Sequence, residues 1–363
     1  MAVLSLDLDD KVNHLKISSS TRENNFNLLR LLFSLLVILS HSFELIDGNR
    51  NREILTGIFH TMSFGELAVD CFFVLSGYLI VQSWCSQPNA IIFFQKRALR
   101  IYPGFIVASL ICAFVVGPLS ANPPEYFSHF LKRAFLNGLL FLDGPFVPKV
   151  FAGAPYPSVN GSLWTIHHEF ECYLLVLVFG ILAGKNWRFL WLLTTGFILG
   201  FVLLNQNSSS EILSYPLFRL SSFFFCGGCF FFYKEKIKFN SKILWIMSST
   251  LLVGMFSPRW SGLAVATAGA YIIFFVATKP IRQISWFNKL PDVSYGTYLY
   301  GWPIQMLLIW YFPIVSPWVL FIWAALLSII LGAISWYAIE KPFISLKTRL
   351  PKARSKYLKL DSE

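Results

Sequence analysis

His41 and Arg30 lie in one apolar run that begins near Phe26. Eleven helical residues turn about 1100°, so both side chains project from one face of a helix, about 16 Å apart along its axis. Ionisable side chains inside a membrane helix are costly, and two on one stripe indicate a shared function. A neutral imidazole accepts a hydroxyl proton near neutral pH, and a carboxylate beside it can fix its tautomer and stabilise the imidazolium. The spacing therefore predicts that His41 is a catalytic base.

Three further apolar runs place an ionisable side chain at the predicted depth of His41. At about 1.5 Å per helical residue, Asp70, Glu169, Arg219 and His41 all lie roughly 6–11 Å below the same membrane boundary. Such groups usually face the interior of a helix bundle or a water-filled cavity. We therefore take Asp70 and Glu169 as catalytic candidates, either of which could be the carboxylate partner of His41.

Each of these residues also has a structural interpretation. A single histidine in a membrane helix is often a packing residue that hydrogen-bonds to a neighbouring helix. Asp70 could be a residue of the outer interface. For Arg219 we favour the structural interpretation, an ion pair with Asp70 or Glu169. For His41 the stripe with Arg30 and the neighbouring charged groups favour catalysis.

A second polar group is predicted at the opposite membrane face. Arg30 lies near the inner end of the first run, and Lys96, Arg97 and Arg100 precede the third run. Anchoring at the cytoplasmic face explains Lys96 and one arginine. Three arginines that converge from two segments would instead form a phosphate clamp, because a guanidinium binds two phosphate oxygens at once. This arrangement suits a nucleotide-tailed acyl donor on the inner side and an acceptor hydroxyl on the outer side.

The composition identifies the scaffold as an integral membrane protein. Of 363 residues, 55% are hydrophobic, 17% aromatic and only 13% charged, whereas soluble domains carry about 25% charged residues. The sequence predicts an all-α fold, a polytopic integral membrane bundle of about ten transmembrane helices. The predicted spans are residues 26–46, 66–85, 102–120, 162–183, 187–204, 213–233, 243–257, 260–278, 293–312 and 317–339.

The distribution of lysine and arginine predicts the orientation of this bundle. Ten spans place both termini on one side, which holds 22 of the 30 basic residues, against 6 in the opposite loops. By the positive-inside rule both termini are then cytoplasmic. We divide the chain into a cytoplasmic segment 1–25, a membrane domain 26–340 and a basic cytoplasmic tail 341–363. The tail is expected to contact lipid headgroups, and no nucleic-acid partner is expected.

The largest loop, 121–161, lies on the predicted outer side and is rich in proline, glycine and aromatic residues. Residues 127–142 form a candidate amphipathic helix that is too short and too basic to span a membrane. The loop could cover a site or pack on the outer rim. On the inner side, residues 89–101 are expected to form a surface helix that leads into the third span.

The six cysteines lie in or beside the spans and indicate no disulfide framework. Cys226 and Cys229 form a single Cys-x-x-Cys motif without a second pair, so we interpret them as small packing residues. No metal site is expected.

Six segments of the chain match, in order, the motifs of a known family. Over essentially its whole length the chain resembles the acyltransferase-3 family of integral membrane acyltransferases. Any one segment is a weak signal, but six in family order are specific. The segments are Asn27-Leu28-Leu29-Arg30 through His41, Gly65 through Tyr78, Arg97 through Pro103, Gly161 through Glu169, Val293 through Leu299, and Glu340-Lys341-Pro342.

The resemblance implies a ten-span bundle that uses cytoplasmic acetyl-CoA, or another acyl-CoA, to acylate an extracytoplasmic sugar hydroxyl. In this family His41 would be the essential catalytic histidine and Glu169 a further functional carboxylate. The residues implied on the donor-binding side are Arg30, Arg97 and Arg100. Many members carry His-x-Pro where this chain has Gly301-Trp302-Pro303, which removes any role for that histidine.

Residues and resemblance together predict an O-acetyltransferase of the bacterial inner membrane. Its donor would be acetyl-CoA, and its acceptor a surface or exported polysaccharide or a lipid-linked glycan precursor. His41 would act on the acceptor hydroxyl directly or through an acetyl-imidazole intermediate. One alternative is a small-molecule acceptor. The other is a transporter, because rows of intramembrane ionisable residues also form relays. The transporter is disfavoured because the sequence shows no internal repeat.

Overall fold

The structure, a computed structural model, describes residues 24–145, 147–182, 184–205, 216–279, 287, 290–312 and 315–349. These residues form helices joined by turns and loops and contain no strand. Of the predicted terminal segments, residues 1–23 and 350–363 lie outside the described residues. In chain order the helices are α1 (Phe26–Asp47), α2 (Ile54–Phe59), α3 (Phe64–Ser86), α4 (Ala90–Leu119), α5 (Pro123–Ser128), α6 (Lys132–Phe141), α7 (Trp164–Leu182), α8 (Trp187–Asn205), α9 (Pro216–Phe232), α10 (Ser241–Met255), α11 (Pro258–Thr278), α12 (Ser294–Tyr311) and α13 (Pro317–Ser345).

Each of the ten predicted spans corresponds to one helix of the structure. Helices α1, α3, α4, α7, α8, α11 and α13 are long and apolar enough to cross a membrane, judged by length and composition. Helices α9 and α10 are shorter apolar helices, and α12 has 18 residues. Large apolar side chains such as Phe197, Trp245 and Ile322 are exposed on the outside of the bundle, as lipid contact requires. The chain is an all-α polytopic membrane protein.

Helix α4 contains both the predicted surface helix over 89–101 and the third predicted span. We expected the surface helix to lead into the span, and α4 continues from one to the other over 30 residues, with a π-helical segment at Cys112–Val116. The side chain of Asn89 caps its first turn. Pro103 lies inside the helix without ending it, which neighbouring helices make possible in membrane proteins. Arg97 and Arg100 therefore lie on the same helix as the span that follows them.

The loop 121–161 contains two short helices instead of one. The predicted amphipathic helix over 127–142 is divided between α5 and α6, because the chain leaves the helical conformation at residues 129–131. The second half of the loop packs on the bundle between α1 and α12. The apolar cluster that it forms there includes Leu45, Val150, Phe151, Val159 and Met306. The loop therefore covers the C-terminal end of α1.

Helix α3 makes its most extensive contacts with α9 and then with α1. A Cβ atom on Gly77 of α3 would lie 1.9 Å from the carbonyl oxygen of Phe224, and one on Gly227 of α9 would lie 1.9 Å from that of Val74. The two backbones thus touch, as small residues allow in membrane proteins. All six cysteines are free, and Cys226 is buried in α9, which agrees with a packing role.

Helix α1 is held against α12 by a buried amide. Gln305 of α12 is fully buried, and its Nε2 donates to the carbonyl oxygen of Ile38 at 2.8 Å and to the hydroxyl of Ser42 at 2.7 Å. Buried polar contacts of this kind fix the rotation of one helix against its neighbour. They determine which face of α1 presents His41.

Candidate active site

His41 lies near the C-terminal end of α1. Its Nδ1 is 2.5 Å from Oε1 of Glu44, one helical turn further along. The Glu44 side chain is 2% exposed, and its second oxygen accepts a 2.6 Å hydrogen bond from Nε of Arg50. Arg50 begins the 3₁₀ turn Arg50–Arg52 after α1 and also lies 3.7 Å from Glu66 of α3. Arg50, Glu44 and His41 therefore form one continuous chain of polar contacts.

A cavity of about 670 Å³ lies beside this chain of contacts. The His41 side chain is 19% exposed, so the imidazole can be reached from the cavity. Part of the wall is aromatic, with Trp164, Phe218 and Tyr298. The ionisable residues of the wall are His41, Glu44, Arg50, Glu66, Asp70 and Arg219. They come from the C-terminal end of α1 and its following turn and from the N-terminal ends of α3 and α9, so the cavity lies at one end of the bundle.

Asp70 is paired with Arg219. Both carboxylate oxygens of Asp70 accept from Nη1 of Arg219, at 2.6 and 2.9 Å. The Asp70 side chain is 1% exposed and that of Arg219 is 39% exposed. This is the structural ion pair that we favoured for Arg219, and it joins α3 to α9. A catalytic role for Asp70 stays a prediction.

Glu169 lies on α7 and is connected to the arginine end of the bundle. It accepts hydrogen bonds from Ser76 of α3 at 2.6 Å and from the hydroxyl of Tyr173 at 2.5 Å. The guanidinium of Arg97 lies over the Tyr173 ring, 5.9 Å from its centroid. Glu169 is not part of the cavity wall, and its functional role stays a prediction.

The carboxylate partner that we expected for His41 is therefore corrected. Neither Asp70 nor Glu169 contacts the imidazole, because each is bonded to other side chains, and the partner is Glu44. The sequence does contain a signal for it, since residues three apart lie on one face of a helix.

Arg30, Arg97 and Arg100 lie close together near the N-terminal end of α1, and their role in binding a donor stays a prediction. Nη1 of Arg30 and Nη2 of Arg100 lie 2.7 and 2.9 Å from the same oxygen of Asp292, which precedes α12. Arg100 also contacts Glu340 at 3.3 Å. Burial acts to raise the pKa of Asp292, but the charges of Arg30 and Arg100 outweigh it and hold the pKa below its usual value. Neither acid was predicted as part of this site.

Arg97 differs from the other two arginines because it forms no ion pair with a described acid. Its Nη2 is 3.4 Å from the hydroxyl of Ser83, and its guanidinium lies over the rings of Phe93 and Tyr173. Its Nε is buried and has no hydrogen-bond partner among the described residues. A buried donor without an acceptor is unfavourable, so Arg97 is suited to an anionic ligand.

Lys347 is a further basic residue beside this cluster. It follows α13 in the 3₁₀ turn Leu346–Arg349. Burial lowers its pKa to about 7, and the charges of neighbouring basic residues, Arg97 first among them, act in the same direction. A ligand with several negative charges would relieve the repulsion among these basic side chains and would favour the protonated form of Lys347.

Trp302 of α12 contacts the imidazole ring of His41. The two rings meet edge to face with their centroids 4.8 Å apart. The indole N–H donates to the carbonyl oxygen of Ser158 in the loop 121–161 at 3.0 Å. At Gly301, which directly precedes Trp302, a Cβ atom would lie 2.8 Å from Cγ1 of Ile38. Close packing of α12 on α1 thus accounts for glycine at that position.

His167, His168 and Glu171 form a further polar group on α7. Their ligand-type atoms lie within 4.8 Å of one another, a spacing that a metal ion would also accept. Nδ1 of His168 is 2.7 Å from Glu171, and Nδ1 of His167 is 2.7 Å from the carbonyl oxygen of Phe141. The contact with Phe141 joins α7 to α6, whereas the bond between His168 and Glu171 lies within α7, and we assign the group a structural role.

A membrane helix bundle with a histidine at a cavity wall and a basic cluster at the other end has an arrangement suited to group transfer within a membrane. The chain belongs to the acyltransferase-3 family, whose profile, described as an acyltransferase domain, matches residues 23–339. The protein is accordingly an acyltransferase.

Two relatives match the chain over nearly their whole length. The O-acetyl transferase of Shigella phage Sf6 is 28% identical over 339 residues, which is 89% of this chain and 97% of that protein. Nodulation protein 10 of Rhizobium leguminosarum bv. viciae is 28% identical over 367 residues, 93% of this chain and 97% of that protein. The acyltransferase MdmB of Streptomyces mycarofaciens is 26% identical over 125 residues, 34% of this chain and 30% of its own length. No solved structure matches the chain.

Proposed function

We propose that this protein transfers an acetyl group from cytoplasmic acetyl-CoA across the bacterial inner membrane to a sugar hydroxyl. The acceptor would be a surface or exported polysaccharide or its lipid-linked precursor. The observation that carries this proposal is the pair of polar sites at opposite ends of α1, separated by about 16 Å between Arg30 and His41. The O-acetyl transferase of Shigella phage Sf6 supports acetyl as the group and oxygen as the acceptor atom.

The arginine cluster suits the phosphates of a CoA donor. The buried Nε of Arg97 has no hydrogen-bond partner in the part of the chain that the structure describes, and a guanidinium makes planar, two-pronged contacts with phosphate oxygens. Arg30 and Arg100 are held in place by Asp292. A donor bound by its phosphates here would extend its thioester arm toward the His41 end.

The cavity beside His41 suits a sugar acceptor. Its wall combines aromatic side chains such as Trp164 and Tyr298 with hydrogen-bonded polar pairs such as Asp70–Arg219. Ligand sites of this kind use apolar surface for contact area and a few polar groups for orientation.

His41 would act as a general base through Nε2, because Nδ1 is engaged by Glu44. The proton of the acceptor hydroxyl moves to Nε2 while the oxygen forms a bond to the acetyl carbonyl carbon. The carbon–sulfur bond of the thioester then breaks, and the departing thiolate takes the proton from His41. An acetyl-imidazole intermediate would use the same nitrogen and would be detected as acetylated enzyme when the protein is mixed with acetyl-CoA in the absence of an acceptor.

The test is acetyl transfer by the purified protein in detergent or liposomes, with radiolabelled acetyl-CoA and a polysaccharide or lipid-linked glycan from the producing strain. His41→Ala is expected to lower transfer at least about 10²-fold, the usual size of a general-base contribution. The matched control is His129→Ala, which alters an exposed histidine in the loop 121–161 and should leave transfer unchanged.

Three results would contradict the proposal. Substantial transfer by His41→Ala would remove the base assignment. Transfer to small molecules in preference to glycans would favour the alternative acceptor. Movement of a solute across liposomes without any use of acetyl-CoA would favour a transporter.

A further inference from the structure

Glu44 has both carboxylate oxygens bonded to side chains. Oε1 lies 2.5 Å from Nδ1 of His41, and Oε2 accepts from Nε of Arg50 at 2.6 Å. The side chain is almost fully buried, so these two partners and not bulk water satisfy it. A buried carboxylate stays ionised when a cation is bonded to it. Arg50 is that cation.

Arg50 keeps its charge in this position. Burial acts to lower the pKa of Arg50, but the hydrogen bond and the negative charge of Glu44 raise it above its usual value, and Glu66 contributes. With a permanent donor on Oε2, Glu44 remains a hydrogen-bond acceptor on Oε1.

An ionised carboxylate can only accept, so Nδ1 of His41 carries the ring proton and Nε2 carries the lone pair. We propose that Glu44 is the positioning residue that holds His41 in this tautomer, and that Arg50 keeps Glu44 in its accepting state. This inference rests on the proposed function, in which Nε2 takes the acceptor proton. The same carboxylate stabilises the imidazolium that forms, as an acid does in other histidine-dependent enzymes.

The other charged groups around the cavity do not replace Glu44. Asp70 is bonded to Arg219, and Glu66 accepts from the backbone N–H of Ser63 at the start of α3. Among these groups, Glu44 alone contacts the imidazole, so a change at Glu44 should alter its protonation most strongly.

The variant Glu44→Gln is expected to reverse the tautomer for a geometric reason. Nε–H of Arg50 can only donate, so the amide oxygen of glutamine must face Arg50 and its NH₂ group must face His41. Nδ1 then has to accept, and the ring proton moves to Nε2, where it blocks base catalysis. We expect kcat to fall at least about 10²-fold with the KM for acetyl-CoA within about twofold of wild type.

The pH profile separates this role from a structural one. Loss of the negative charge makes the imidazole harder to protonate, so the acid limb of the residual kcat profile should move to lower pH. Glu44→Asp keeps a carboxylate and should recover most of the lost kcat. The matched control is Asp47→Asn, because Asp47 ends the same helix and pairs with Arg52 at 2.6 Å but is 43% exposed. It should keep the wild-type kcat and pH profile.

A glutamine variant with wild-type kcat and pH profile would overturn the proposal, and so would an aspartate variant no better than glutamine. The tautomer can also be measured in the wild-type protein by NMR with ¹⁵N-labelled histidine rings. We expect a strongly deshielded proton on Nδ1 whose signal is lost in His41→Ala. A wild-type His41 signal with the proton on Nε2 would overturn the assignment even if Glu44→Gln failed to fold. This measurement uses no acyl donor. If it gave the expected signal but the protein transferred no acetyl group, the proposed function would be wrong while the tautomer assignment would stand.

Discussion

The three arginines near the N-terminal end of α1 are not equivalent. Asp292 lies between Arg30 and Arg100 and contacts both, and Glu340 contacts Arg100 again. Arg97 has only a long contact to a hydroxyl and two aromatic rings among the described residues. Asp292 and Glu340 therefore compete with a bound phosphate at Arg30 and Arg100, whereas Arg97 makes no such ion pair among the described residues. We therefore expect Arg97 to contribute most to the binding of the donor.

This difference predicts a graded response to arginine-to-lysine replacement. Arg97→Lys keeps the charge but loses the planar contact, and one charge-assisted hydrogen bond contributes about 1.5–3 kcal/mol. The KM for acetyl-CoA should rise at least about tenfold. Arg30→Lys and Arg100→Lys should raise it by less, and acceptor affinity should change little in all three. Steady-state kinetics with acetyl-CoA and the acceptor varied in turn measures the KM for each substrate.

The control for this series is Arg52→Lys, at the opposite end of α1, where the arginine is exposed and pairs with Asp47. It should show wild-type dependence on acetyl-CoA. If Arg30→Lys, Arg97→Lys and Arg100→Lys also show wild-type dependence on acetyl-CoA, the three arginines act only as membrane anchors. Lysine and arginine are equivalent in that role.

At the residue scale, the sequence predicts the functional side chains better than their partners. His41 and Arg30 share one helix, so the helical period alone relates them. Glu44 lies on the same helix and could have been found by the same rule. Asp292 could not, because its contact with Arg30 spans 262 positions of the chain and no local period connects them.

At the element scale, the contact between α3 and α9 sets the geometry of one cavity wall. The backbones touch at Gly77 and Gly227, where added Cβ atoms would overlap carbonyl oxygens. Asp70 precedes Gly77 by two helical turns, and Arg219 precedes Gly227 by slightly more. The register fixed at the glycines therefore brings Asp70 and Arg219 within hydrogen-bond distance.

Gly77→Ala should separate these helices and weaken that ion pair. Overpacking of a close contact usually destabilises by about 1–3 kcal/mol, so both the thermal stability in detergent and the transfer activity should fall. Gly196→Ala on α8 is the matched control, because a Cβ atom there has no neighbour within 4 Å. Equal melting temperatures for the two variants would show that the α3–α9 contact tolerates a methyl group.

Where an element differs from what the local sequence suggests, the physical cause can be identified. Pro103 lies inside α4 without ending it, because prolines in membrane helices can be accommodated by their neighbours. In the loop 121–161, the apolar period continued through 129–131, where the backbone leaves the helix. The later part of that loop is ordered by buried contacts with α1 and α12, which a local pattern does not reveal.

At the scale of the whole molecule, the polar residues form two groups, one at the cavity and one at the arginine cluster. This separation is expected when successive membrane helices run in opposite directions. The cavity is lined by the C-terminal end of α1 and the N-terminal ends of α3, α7, α9 and α11. The arginine cluster uses the N-terminal parts of α1 and α4, the start of α12 and the end of α13. Ten helices that alternate in direction bring these particular ends together. The orientation of the two groups relative to the cell rests on the charge distribution of the sequence.

That orientation can be tested with a reporter enzyme that is active only outside the cytoplasm. Inserted at residues 129–131, between α5 and α6, it should be active, because 22 of the 30 basic residues lie on the side opposite to this loop. Fused after Glu363, or inserted between α3 and α4, it should be inactive, and a reporter that fluoresces only in the cytoplasm should give the reverse pattern. Activity of the first reporter after Glu363 would place the arginine cluster outside, where acetyl-CoA is absent, and His41 would face the donor compartment. The proposed direction of acetyl transfer would then be wrong even if every residue assignment held.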